Sequence, residues 1–198
     1  MWPWEHLAFG YVLYSLGVHL LEGRAPRGPP VIVLALATQV PDLVDKPLAW
    51  VFDVTAVGYA VGHSLLVVGP ALTAALALAH HQGPRARRLV AAYTVGHLSH
   101  LVGDVVYPAL MGKGLQPERL LWPLATHEPT DAGAVAHVAA YLRRYVAQVL
   151  SGEAGPLFVV QVGLVGLLLV VWLVDGAPGL RTVWEAFVRS VGGSAGRS

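Results

Sequence analysis

The sequence predicts an all-α fold, a polytopic integral membrane helix bundle with about five membrane segments, one of them short, plus interfacial amphipathic helices. Of the 198 residues, 55% are hydrophobic and 13% are charged, which is about half the charged share of an ordinary soluble domain. Several apolar runs approach or reach the roughly 20 residues that a spanning helix needs. Arginines cluster after alternate runs, as expected for a chain with a fixed membrane orientation.

Four membrane segments are predicted from the length of uninterrupted apolar sequence. They cover residues 7–21, which can be extended to Trp4, and residues 57–79, 89–111 and 156–174. The last of these contains the most apolar run in the chain, VVQVGLVGLLLVVWLV. Each is long enough, or nearly long enough, to cross the hydrocarbon core of a bilayer as a helix.

The short segment is residues 31–40, which is about half the length of a spanning helix. Pro41 follows it directly, with Asp42 and Asp45 close behind. We expect a short helix that leaves into a polar turn at Pro41, because proline lacks the amide hydrogen of a helix interior. The alternative is a longer span that continues to Phe52.

The remaining sequence predicts two interfacial helices within the same single domain. Residues 1–130 form the bundle that carries the polar residues, and residues 131–198 contain an interfacial helix, the last spanning helix and an amphipathic tail. The interfacial helix covers 132–150, where apolar residues alternate with Arg143 and Arg144, and the tail helix covers 180–191. Both patterns are typical of helices that lie in the membrane surface.

The basic residues predict a multi-pass protein with its N-terminus outside. Short loops rich in arginine favour the cytoplasmic side, and these arginines are Arg24, Arg27, Arg85, Arg87, Arg88, Arg181, Arg189 and Arg197. The opposite side has fewer basic residues on longer connections, namely Lys46, Lys113, Arg119, Arg143 and Arg144. The formal net charge is only +1, so no basic field indicates nucleic acid as a partner.

Ionisable residues from five segments fall at the same predicted outer end of the bundle. They are His6, Asp42, Asp45, His63, His97, His100 and Asp104, and His127 and Glu128 follow in the next loop. A charge within a membrane costs roughly 2.5–3.5 kcal/mol on insertion scales, so such residues normally have partners. His127 is left open as a ligand, and His19, His80, His81 and His137 are interpreted as structural.

The stretch GHLSHLVGD, residues 96–104, carries three of these side chains on one face of a predicted helix. At about 100° per residue, His97, His100 and Asp104 project within an arc of about 60°. The chain has no cysteine, and imidazole with carboxylate suits zinc, manganese or iron. We expect one to three divalent transition metal ions, with zinc favoured, and close approach of segments 57–79 and 89–111 at their glycines.

Several short motifs resemble a known family when their order and spacing are taken together. HLAFG, VPDLVD, GHSLL, GHLSHLVGD and LLWPL, within residues 5–125, resemble the membrane-bound metal-dependent hydrolases, an inner-membrane family that includes LexA-binding hydrolases. That family usually has a His-Arg pair before Thr-His-Ser. Here Gly62 replaces the threonine before His63, and Tyr59 stands near the expected His-Arg. The resemblance implies a location in the inner (cytoplasmic) membrane and a metal-dependent hydrolytic activity.

A more distant likeness is to the metal sites of zinc phospholipases C and single-strand nucleases. These enzymes carry a helix with His-x-x-x-Asp, the spacing of His100 and Asp104. They cluster metal ions around a bridging carboxylate and hydrolyse phosphate esters. The likeness implies a similar bridging role for Asp104.

These observations predict a membrane-embedded hydrolase that acts on phosphate esters of a lipid or lipid-linked substrate at the outer face. The expected metal ligands are His6, Asp42, His63, His100 and Asp104. Asp45 or His97 is expected to act as the general base that orients water. The alternatives are an ion, proton or metal transporter, and a non-catalytic membrane interaction protein stapled by a metal.

Overall fold

A computed structural model of the chain describes residues 1–125, 134–151, 155–180, 182–184 and 188. Its helices are α1 Pro3–Glu22, α2 Pro29–Ala37, α3 Val40–Trp50, α4 Leu65–Gln82, α5 Pro84–Leu110, a short 3₁₀ helix Pro117–Leu120, α6 Ala134–Ser151 and α7 Pro156–Val174. Throughout these residues the regular secondary structure is helical, which confirms the predicted all-α class.

Two helices in the described ranges are long and apolar enough to cross a membrane, namely α4 and α5. Helix α7 contains a shorter apolar stretch, Phe158–Val174. The predicted count of about five membrane segments is therefore supported in part, and the further crossings stay predictions.

Two predicted boundaries differ from the structure at the polar end of the bundle. Pro41 does not end a helix; it lies in the first turn of α3, where its missing amide hydrogen leaves no bond unmade. The predicted segment 57–79 becomes helical only at Leu65, the first residue of α4. Residues before it form an irregular turn whose amide groups donate to a side chain of α3 instead of to a helix, as described below.

Helix α5 lies at the centre of the bundle and packs against α1, α2, α3 and α4. A Cβ atom on Gly96 would lie 2.7 Å from the Leu34 carbonyl oxygen and 2.9 Å from Ala37 Cβ. A Cβ atom on Gly103 would lie 2.7 Å from Met1 Sδ and 3.5 Å from His6 Nδ1. These glycines therefore bring α5 against α2 and α1, whereas we expected them to bring it against the segment that becomes α4.

Helix α7 docks on α1 through a buried carboxylate just beyond its last turn. Asp175 accepts hydrogen bonds from Tyr11 Oη at 2.7 Å and from Ser15 Oγ at 2.6 Å, and its other oxygen lies 2.7 Å from His19 Nε2. Burial alone would raise the pKa of Asp175, but the hydrogen bonds from Ser15, His19 and Tyr11 hold it below its ordinary value. The ionised carboxylate thus fixes α7 along three successive turns of α1.

Helix α6 covers most of the range predicted to form an interfacial helix, and its location at the membrane surface stays a prediction. Its arginines Arg143 and Arg144 are exposed, and Tyr145 packs with ring centroids 5.4 Å from Trp2 and 5.8 Å from Trp4. Amphipathic aromatic rings of this kind are enriched where a membrane meets water. Residues 132–133, and most of the predicted tail helix 180–191, lie outside the described residues.

Candidate metal centre

Four side chains from three parts of the chain converge on one point inside the bundle. Asp42 comes from α3, His63 from the turn before α4, and His100 and Asp104 from α5. One ligand atom from each lies within 4.8 Å of all the others. This cluster of Asp42, His63, His100 and Asp104 is called the metal centre below, because it can hold a metal ion.

The imidazole rings of His63 and His100 approach each other through their Nε2 atoms. His63 Nε2 lies 3.1 Å from His100 Nε2, and each of these atoms lies 3.4 Å from Asp104 Oδ2. Asp42 Oδ1 lies 3.7 Å from both nitrogen atoms. Two nitrogen and two oxygen donors therefore surround a single small volume.

The backbone and a second carboxylate set the orientation of both rings. His100 Nδ1 donates to the carbonyl oxygen of Thr38 at 2.7 Å, and His63 Nδ1 lies 2.8 Å from Asp45 Oδ2, also an acceptor. With Nδ1 carrying the proton, Nε2 of a neutral ring presents its lone pair. Metal-binding histidines are held by the same kind of bond from the nitrogen that faces away from the metal.

The negative charge around His63 favours a cation at its Nε2. Burial alone would lower the pKa of His63, but interaction with Asp104 and Asp45 raises it above its ordinary value. A proton or a metal ion between the two Nε2 atoms relieves the repulsion of facing lone pairs. The negative charge of these carboxylates, which helps His63 to retain a proton, also attracts a divalent cation.

Asp45 is fully buried and surrounded by donors. Its oxygens accept from the amides of Ala60 at 2.7 Å, Gly62 at 2.8 Å and His63 at 3.0 Å, in addition to the His63 ring. Burial alone would raise its pKa, but these bonds lower it. Asp45 therefore stays ionised while it holds the turn before α4 against α3. Its predicted role as general base is not tested by this arrangement and stays a prediction.

His6 lies beside the metal centre on the other oxygen of Asp104. Its Nε2 is 3.4 Å from Asp104 Oδ1, an oxygen that the Met1 amino group also contacts at 3.1 Å. The ring stacks on His100 with centroids 3.6 Å apart. Both ring nitrogens are buried and lack a hydrogen bond to any described residue. His6 thus has unused donor capacity next to a carboxylate that belongs to the centre.

His97 is directed at the turn before α4 instead of at the four ligand atoms. Its Nε2 donates to the carbonyl oxygen of Gly62 at 2.9 Å, so its Nδ1 carries the lone pair. That Nδ1 is buried and has no hydrogen-bond partner among the described residues. His127, which was left open as a ligand, lies outside the described residues.

The donor atoms of the metal centre fit a divalent transition metal in their type and in their unmet need for a partner. Asp42 Oδ1 is buried without a hydrogen bond in the described part of the chain, while Lys46 Nζ pairs with the other oxygen, Oδ2. A buried acceptor left without a partner costs about 1–3 kcal/mol, which a bound cation offsets. Imidazole nitrogen and carboxylate oxygen suit zinc, manganese and iron alike.

Two contributors to the centre were not predicted as site residues. Thr38 acts through its backbone carbonyl, which no side-chain pattern can reveal. Arg119, counted above only as a basic residue of the outer side, places its guanidinium carbon 4.3 Å from the centre of the Tyr59 ring. Its Nη1 donates to Tyr59 Oη and to the carbonyl oxygen of Asp104, both at 3.1 Å. A lone arginine between predicted membrane segments gives no sequence signal of such a position.

Comparison with known proteins identifies the family and confirms the membrane character expected from the sequence. The profile of a family described as YdjM inner membrane protein matches residues 1–178. No curated protein and no solved structure matches the chain. Metal-dependent hydrolysis, which the resemblance implied, stays a prediction. With most of its length matched, the chain belongs to the YdjM inner membrane protein family.

Proposed function

We propose that the protein is a membrane-embedded hydrolase that uses a divalent metal ion to cleave phosphate ester bonds of a lipid or lipid-linked substrate at the outer membrane face. The observation that carries the proposal is the 3.1 Å approach of His63 Nε2 and His100 Nε2 beside two carboxylates. Rings that are fixed through Nδ1 and converge through Nε2 are typical of metal ligands.

Asp42, His63, His100 and Asp104 would hold the ion, with zinc favoured over manganese or iron. When bound, a divalent ion supplies Lewis acidity, which polarises a phosphoryl oxygen and lowers the pKa of water. His6 stays in the proposal as a ligand that would share Asp104, because its Nε2 faces the second oxygen of that carboxylate. Such sharing of Asp104 would allow a second ion beside the first, within the expected range of one to three ions.

The chain's own residues would position the ligands and accept a proton. Asp45 and the Thr38 carbonyl orient His63 and His100 from behind. Because Asp45 already accepts four hydrogen bonds, its geometry favours a positioning role over that of general base. His97 is the better candidate for proton acceptor, since its Nδ1 lone pair has no partner among the described residues.

The depth of the centre supports a lipid substrate. His100 and Asp104 lie in the second half of α5, one of the two helices able to span a membrane. A lipid head group reaches this depth by lateral diffusion in its leaflet, whereas a soluble substrate must leave water. The proposal therefore takes a membrane lipid as the partner of the site.

Metal analysis combined with a hydrolysis screen tests the proposal directly. Protein purified in detergent without chelator should contain at least one zinc, manganese or iron ion per chain. It should release phosphate or a phosphorylated head group from lipid substrates, and chelation should abolish the release until metal is restored. Absence of metal after purification, together with no uptake on titration, would contradict the proposal.

A structural metal staple is the second candidate function. The observation that favours it is that four protein ligands converge on one volume, since four ligands are usual for structural zinc and three with an open position for catalytic zinc. A staple predicts that metal removal lowers thermal stability while no lipid or phosphate ester is cleaved in the presence of metal. The hydrolysis screen therefore separates the two functions.

A further inference from the structure

Arg119 is a half-buried cation beside the metal centre whose charge has no carboxylate partner in the described ranges. Its guanidinium lies over the Tyr59 ring, and the Tyr59 ring in turn meets the edge of His63 with centroids 4.8 Å apart. Its Nη1 is bonded to the backbone of Asp104. Two independent contacts thus tie the guanidinium to residues that carry or adjoin ligand atoms.

Those contacts leave most of the hydrogen-bonding capacity of Arg119 unused. Both bonds run from Nη1, and Nε and Nη2 donate to no acceptor within the described residues. An arginine has five N–H donors in a rigid planar fork. Stacking on Tyr59 fixes the plane of that fork, so little side-chain entropy remains to be lost when a ligand binds.

The chemistry of the donors that make no hydrogen bond within the described residues selects the ligand. A guanidinium fork matches two oxygens of a phosphate group and forms charge-assisted hydrogen bonds to both. Two other cations lie at the centre, and both are already paired: Lys46 with Asp42 and the Met1 amino group with Asp104. Arg119 is therefore the cation available for an incoming anion.

We propose that Arg119 binds the phosphate group of the substrate, and that the stacked pair Arg119–Tyr59 is a phosphate-recognition element beside the metal centre. The inference rests on the proposed function and deepens it, because it selects phosphate monoesters or diesters over neutral carboxylic esters. Arg119 contributes to substrate binding and does not hold the metal.

Binding of inorganic phosphate to the zinc-loaded protein, measured by calorimetry in detergent, tests this inference without requiring turnover. Arg119→Gln should weaken phosphate binding about 10- to 100-fold, the worth of charge-assisted hydrogen bonds, and leave the zinc content unchanged. Arg119→Lys, which keeps the charge, should recover part of the affinity. Arg143→Gln, an equal charge change on an exposed arginine of α6, should stay within about twofold of the unmodified chain.

The outcomes distinguish this inference from the proposed function. Unchanged phosphate affinity in Arg119→Gln, or no phosphate binding by the unmodified chain, overturns the phosphate-recognition element. Loss of phosphate binding in Arg119→Gln supports the phosphate-recognition element even if the unmodified protein cleaves no ester. Absence of ester cleavage would overturn the proposed hydrolysis but not the phosphate-recognition element. If phosphate esters are cleaved, Arg119→Gln should raise KM more than it lowers kcat. Equal loss of neutral ester cleavage would contradict the role in phosphate recognition.

Discussion

His63 Nε2 and His100 Nε2 lie 3.1 Å apart, and each ring is held in place through its other nitrogen. Two neutral rings in this orientation present lone pairs to each other and cannot form a hydrogen bond. The arrangement is stable only with a proton or a metal ion between them. The two nearby carboxylates favour the more highly charged of these cations.

Replacement of a ligand residue should both remove the bound metal and destabilise the fold. We expect His100→Ala and Asp104→Asn each to lose bound metal, lose activity and lower the thermal unfolding midpoint in detergent, because metal binding is linked to folding. Elemental analysis and thermal unfolding with and without chelator are the measurements.

His80→Ala and His81→Ala are the matched controls for these ligand variants. Both histidines are exposed at the end of α4 that lies away from the metal centre. They should retain the metal and the unfolding midpoint of the unmodified chain. Equal metal content in all four variants would mean that the histidine pair is only a hydrogen-bonding contact between elements.

Asp45→Asn should separate positioning of a ligand from direct metal binding. The amide keeps the size of the side chain and one acceptor oxygen, but it loses the charge that orients His63. Loss of such a supporting partner typically costs about 10- to 100-fold in metal affinity, so the variant should bind zinc weakly yet fold when zinc is abundant. Competition titration against a zinc-binding dye measures the affinity.

A different result for Asp45→Asn would favour the general-base role. Unchanged zinc affinity with activity lower by roughly 100- to 10,000-fold is the signature of a lost proton acceptor. His97→Gln should give that signature instead if His97 Nδ1 accepts the proton. Comparing affinity with rate in both variants assigns the two roles.

The prediction from sequence was most successful where one helix carries the pattern. His100 and Asp104 share a face of α5 by helical geometry alone, so the candidate ligands could be recognised from their spacing. The course of residues 55–64 could not be predicted in this way, because that turn depends on amides of Ala60, Gly62 and His63 finding Asp45 from another helix. Apolar composition made the same residues resemble the start of a spanning helix.

Arg119 and Thr38 show the second limit of the sequence. A backbone carbonyl has no residue type, and the stacking of Arg119 on Tyr59 joins residues 60 positions apart. Arg119 and Tyr59 meet only because the 3₁₀ helix packs near the end of α5. Such contacts follow from tertiary structure and leave no periodic signal.

Gly96→Ala should destabilise the bundle at the contact between α2 and α5. The new methyl group would lie 2.7 Å from the Leu34 carbonyl oxygen and 2.9 Å from Ala37 Cβ, so the helices must separate. Overpacking of this kind typically costs about 1–3 kcal/mol, which should appear as a lower unfolding midpoint. Gly69→Ala in α4 is the control, because a Cβ there meets nothing within 4 Å and alanine favours a helix. A midpoint in Gly96→Ala at or above that of the control would contradict the close packing.

Labelling of the two ends of α5 should decide both its crossing and its orientation. The helix has 27 residues, about 40 Å of length, and exposed residues Gln82 and Lys113 flank it. The chain has no cysteine, so Gln82→Cys and Lys113→Cys each introduce a single reactive thiol. With the N-terminus outside, an impermeant maleimide added to intact cells lacking an outer membrane barrier should label residue 113 and spare residue 82 until the membrane is permeabilised. Labelling of residue 82 but not residue 113 from outside would place the metal centre at the cytoplasmic face and move the proposed lipid substrate to the inner leaflet. Labelling of both residues from outside would show that α5 does not cross, and the predicted arrangement of five crossings would then be wrong.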